Sequence, residues 1–91
     1  MLYIKYEYLS LSVNLSGSML TPKEKEVVRL LLAGFEMMAI ARMKQRSVKT
    51  VSAQKLSAYK KLGVNTDVTL YPDLIKKWGM KVSNRSEEPL Q

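Results

Sequence analysis

Cysteine and histidine are both absent from this 91-residue chain. Without cysteine there are no disulfides, which fits a reducing compartment, and without either residue the usual zinc sites are excluded. The missing histidine also removes the commonest general base. Acids are scarce, eight against fifteen lysines and arginines, and they sit in helix starts or tails. No glycine-rich phosphate loop is present, so no catalytic constellation forms and neither enzymatic activity nor a cofactor nor a metal is expected. Long apolar runs are lacking too, and residues 1–16 are broken by Lys5 and Glu7. Neither a membrane span nor a signal peptide is indicated, and a soluble cytoplasmic protein is expected, with no membrane partner and no evident small-molecule ligand. The length fits one small domain with tails.

The net charge of +7 is unevenly distributed. Between Leu20 and Val64 lie ten basic residues and three acids, whereas outside that window five bases and five acids cancel. Such a concentration favours a polyanion, most often nucleic acid, because each neutralised phosphate releases condensed counterions; a solvated basic surface is the bland alternative.

The chain divides into an extended segment or linker at 1–18, a helical domain at 19–79 and a tail at 80–91. In the first piece Leu9, Leu11, Val13 and Leu15 alternate with Ser10, Ser12, Asn14 and Ser16, the period of a half-buried strand. A single strand must lie on the domain, pair with a second copy, or belong to a linker. The stretch KVSNRSEEPLQ at 81–91 is polar, carries no periodicity and is expected to fray.

Helical signals fill the middle. Thr21, Pro22 and Glu24 combine an N-cap, a proline at the first helical position and a capping-box acid. With Val27, Val28, Leu31 and Leu32 at helical spacing and Gly34 as a stop, they predict a helix over 22–33. A second helix is expected over 36–43, with Met37, Ile40 and Ala41 inward. Ser47 caps a third, with Val48, Val51, Ala58 and Leu62 inside and Gly63 ending it. A fourth follows, capped by Thr66 or Asp67 and kinked by Pro72, unless it begins near that proline. Trp78 is expected to anchor it in the core.

Two short helices joined by three or four residues, the second basic on its outer face, make a helix-turn-helix. The segments LTPKEKEVVRLLLAGF, IA and RSVKTVSAQKLSAYKKLGV resemble the LuxR-type DNA-binding domain that ends many bacterial response regulators and quorum-sensing activators. Within that family RSVKTVSAQK and KLGV look most like the output domain of a capsule-synthesis phosphorelay regulator. The resemblance covers about residues 20–75. It implies an all-α, four-helix fold with an extended N-terminal segment and a frayed C-terminal tail. It further implies a cytoplasmic, nucleoid-associated transcription regulator that binds double-stranded DNA as a homodimer, or as a heterodimer with a related regulator. The alternative is a co-regulator or antagonist that pairs with a full-length regulator and binds DNA weakly alone. No room remains for the phospho-acceptor or ligand-sensing domain that precedes this module in full-length regulators, so the chain reads as a fragment or as a stand-alone protein.

On a helical wheel Val51, Ala58 and Leu62 form the buried stripe, while Lys49, Ser52, Ala53, Leu56 and Lys60 fall opposite. The resemblance assigns the same face: the positions of Ser52, Ala53 and Leu56 approach base edges, and those of Lys49 and Thr50 contact the backbone. Lys55, Lys60 and Lys61 are further phosphate candidates. The expected DNA-binding set is Ser47, Lys49, Thr50, Ser52, Ala53, Gln54, Lys55, Leu56, Lys60 and Lys61. Gln54 lies near the edge of the core stripe, which favours a structural or phosphate role over adenine reading. No arginine or asparagine on this face offers a bidentate base contact, so electrostatics should dominate affinity. The sequence departs from the family at Ala39, where glutamate is usual, and at Lys44, where leucine is usual and Met43 is a candidate filler. Met37, Met38 and Met43 are expected in the core.

Overall fold

The computed structural model describes residues 2–5 and 9–84. Along the chain run β1 (Leu2–Lys5), β2 (Leu9–Val13), α1 (Pro22–Leu32), α2 (Met37–Lys44), α3 (Val48–Leu62), α4 (Leu70–Trp78) and β3 (Lys81–Asn84). The four expected helices are present, but the fold is not all-α, because the strands form one antiparallel sheet in the order β1-β2-β3.

The alternating segment is the centre of that sheet. Leu11 and Val13 on β2, and Leu15 just beyond it, point inward and are buried, while Leu9 at the strand's start is partly exposed. They join Val28, Leu32, Ala58, Leu62, Leu74 and Met80 in one apolar core, so the sheet closes the core on the side away from α2. The C-terminal stretch expected to fray enters the sheet over Lys81–Asn84, pairing Leu11 with Val82 and Ser10 with Ser83. Its sequence hides this because an edge strand is held by backbone hydrogen bonds, and Lys81, Val82 and Ser83 stay exposed. Residues 85–91 of that tail lie outside the described residues.

A smaller core of Val27, Leu30, Ile40, Ala41 and Val51 locks α1, α2 and α3 together. The α1 capping box is complete: the Glu24 amide donates to Thr21 Oγ1 (3.1 Å) and the Thr21 amide to Glu24 Oε1 (2.9 Å). Helix α2 buries only Ile40 and Ala41, with Met37 half-buried against them. Met38 and Met43 are exposed rather than in the core, since an eight-residue helix packed on one side has no second face to cover them. Val48 is exposed as well, because the first turn of α3 stands clear of the core and its buried stripe begins at Val51.

Helix α4 begins near Pro72, which is its third residue, where a missing amide hydrogen costs no intrahelical bond and no kink follows. Neither Thr66 nor Asp67 caps it; Thr69 occupies the N-cap position, and Thr66 and Thr69 exchange hydroxyl-to-backbone bonds in the turn before it. Trp78 is half-buried against the core and donates from Nε1 to the Leu62 carbonyl (2.9 Å), tying α4 to the end of α3.

Candidate nucleic-acid interface

Three residues, 45–47, turn the chain from α2 into α3. Gln45 takes the left-handed conformation (φ 55°, ψ 45°) and the Arg46 amide donates to the Ala41 carbonyl, closing α2. Ser47 then accepts from the Thr50 amide (3.1 Å) and donates its own hydroxyl to Thr50 Oγ1 (3.0 Å). The Thr50 hydroxyl hydrogen is not used in either bond, and Thr50 is exposed. With Val51 fully buried as the pivot, the turn and the cap set the angle at which α3 leaves the domain.

The outer face of α3 carries Lys49, Thr50, Ala53, Leu56 and Lys60 exposed, with Ser52 half-buried beside them. Leu56 is 60% exposed. Helix α3 itself contains no acid, and Lys49 and Lys60 make no ion pair or hydrogen bond among the described residues. The face is therefore a stripe of uncompensated positive charge around small and apolar groups. An open depression lined by Leu56, Tyr59, Lys60, Gly63, Val64 and Asn65 extends it toward the helix end.

Three of the expected residues are placed elsewhere. Lys61 turns back to Glu24 (Nζ to Oε1, 2.7 Å), whose other oxygen accepts from the Ser57 hydroxyl (2.6 Å). The buried Glu24 thus joins the start of α1 to the second half of α3. The Lys61 ammonium, helped by Ser57 and the Thr21 amide, holds its carboxyl at about 2 against the opposing effect of burial. Lys55 pairs with Asp67 in the loop before α4 (3.1 Å) and lies over the Tyr59 ring, with its side chain only 13% exposed. Asp67 also accepts from the Tyr59 hydroxyl (2.7 Å), which with Lys55 lowers its pKa, while burial and that carboxylate raise the pKa of Tyr59. Gln54 is half-buried, and its Oε1 is enclosed with no hydrogen-bond partner among the described residues.

Glu24 and Asp67 thus act on α3 in ways that sequence reasoning assigned only to helix starts. Their partners are 37 and 12 residues away, and no local pattern signals them.

Residues 18–72 match the family described as bacterial regulatory proteins, luxR family. The transcriptional regulatory protein RcsB of Escherichia coli (strain K12) is 53% identical over 51 residues, which cover 56% of this chain and 24% of that protein. YuaB of the same strain, an uncharacterized HTH-type transcriptional regulator, is 40% identical over 60 residues, or 66% of this chain and 17% of that one. A solved structure concerned with conformational dynamism for DNA interaction in the Salmonella typhimurium RcsB response regulator aligns at a TM-score of 0.58 and 49% identity, covering 63% of this chain and 28% of the other. The chain thus spans 28% or less of the length of each of these relatives.

Proposed function

The chain belongs to the luxR family of bacterial regulatory proteins, and from that membership we propose that it is a DNA-binding transcription regulator whose helix α3 enters the major groove. The observation that carries the proposal is the acid-free outer face of α3, where Lys49 and Lys60, unpaired among the described residues, flank Ser52, Ala53 and Leu56. Lys49, Lys60 and the exposed Thr50 hydroxyl meet phosphates. Ser52 offers a hydroxyl that suits several bases, and Ala53 and Leu56 offer methyl groups to the thymine C5-methyl. Ser47 supports this set as the cap that orients Thr50. Lys61 acts from behind the face, through Glu24, and Gln54 acts at its edge. No helix among the described residues is long and apolar enough to cross a membrane, and the proposed site of action is the bacterial nucleoid.

The regulator works as a dimer, with a second copy or a related regulator covering the exposed Val68, just before α4, and Ile75 on it. The lack of an arginine or asparagine on the outer face of α3 favours a second reading, in which it binds DNA appreciably only beside such a partner. Titrating labelled duplex DNA at several salt concentrations separates the two. Binding by the protein alone with a steep salt dependence is expected, and a Lys49→Ala, Lys60→Ala double variant should flatten the slope of log Kobs against log salt by about 2. Absence of binding at low salt and high protein concentration, restored only by a partner regulator, rejects autonomous DNA binding.

A further inference from the structure

Lys55 occupies an unusual position for a lysine of a DNA-facing helix. It is half-buried one turn from Ser52, between the buried stripe and the outer face, on a flank that can approach the phosphates bordering a groove-bound helix. Its ammonium is already occupied, however: Asp67 lies 3.1 Å away, and the Tyr59 ring stands beneath it. Asp67 comes from the loop before α4 and is itself held by the Tyr59 hydroxyl at 2.7 Å. Its side chain is 66% exposed, so it presents a carboxylate to whatever approaches this flank. Lys49 and Lys60, by contrast, have no such counterion among the described residues.

We propose that Asp67 limits the strength of DNA binding by acting as an internal stand-in for a phosphate, keeping Lys55 off the DNA backbone. The inference rests on α3 being the DNA-reading helix. A phosphate reaching Lys55 must displace the carboxylate, and the freed carboxylate then repels the backbone beside it. The exchange gains little. Removing the acid alone converts Lys55 into an additional phosphate ligand, and asparagine is the informative replacement because its Oδ1 still accepts from Tyr59 and keeps the loop in place.

The experiment measures duplex DNA affinity at several salt concentrations for the wild type, Asp67→Asn, Lys55→Gln and the double variant, with thermal melts confirming folded protein in each case. Asp67→Asn is expected to bind several-fold more tightly, with a salt slope steeper by about 0.9, and the gain should vanish when Lys55 is also replaced. Two results overturn the proposal: a folded Asp67→Asn protein that binds no more tightly than wild type, or a gain that persists in the Lys55→Gln background. If neither wild type nor Asp67→Asn binds DNA at any salt concentration, the reading of α3 fails as well, an outcome distinct from both. Should Asp67→Asn fail to fold, Asp67→Ser takes its place in the same comparison.

Discussion

Glu24 shows how much one side chain can be asked to do. It completes the α1 capping box, accepts from Ser57 and pairs with Lys61, all while buried. A carboxylate out of water is tolerated only when its oxygens are paired and bonded, and here each has a partner. The folded state holds this group at about 2 against an ordinary 4.5. Because the folded pKa is the lower of the two, the stabilisation is complete above 4.5 and drains away as pH falls from 4.5 toward 2. Urea melts should show Glu24→Gln less stable than wild type by about 1.5–3 kcal/mol at pH 7, the value of a hydrogen bond to a charged group. The gap should narrow below pH 4.5, and an equal gap at pH 7 and pH 2.5 would contradict the assignment.

At the scale of elements, the helices were legible because their signals are local. Thr21-Pro22-Glu24 and Ser47 cap within one turn, glycine at 63 supplies the left-handed exit (φ 78°), and the apolar stripe of α3 repeats at the helical period. The outer face of α3 followed from the same wheel, which places Lys49, Ala53, Leu56 and Lys60 in the open. The fates of Lys55 and Lys61 did not follow, since charge type on a wheel cannot say which lysine finds a carboxylate from another element. Ser47 is the element-scale lever, as its hydroxyl satisfies the first turn of α3 and orients Thr50 at once. Ser47→Ala should cost about 1 kcal/mol in thermal or chemical melts. It should also weaken DNA binding beyond any loss of folded protein, and Ser47→Asp should recover the stability but not the affinity, because it restores the cap while adding a negative charge to the DNA-facing side.

Across the whole molecule, two apolar clusters divide the labour. The smaller one sets α2 against α3 and presents the outer face, while the larger joins α1, α3 and α4 to the sheet. In a chain this short, helices alone bury little, and Leu11, Val13 and Leu15 enlarge the core from outside the helical segment. The alternation of β2 was readable, but the sheet was not, because β3 offers a single apolar residue, Val82, and its pairing with β2 spans nearly the entire chain. Local patterning carries no record of such a partner. Under the proposed function, recognition falls on the outer face of α3 and structural closure on the sheet. Chemical-shift mapping of backbone amides on addition of duplex DNA tests that division directly. Shifts should cluster at the 45–47 turn and along the outer face of α3 from Lys49 to Lys60, leaving β1, β2 and β3 unmoved; shifts concentrated on the sheet or α4, with α3 silent, would contradict it.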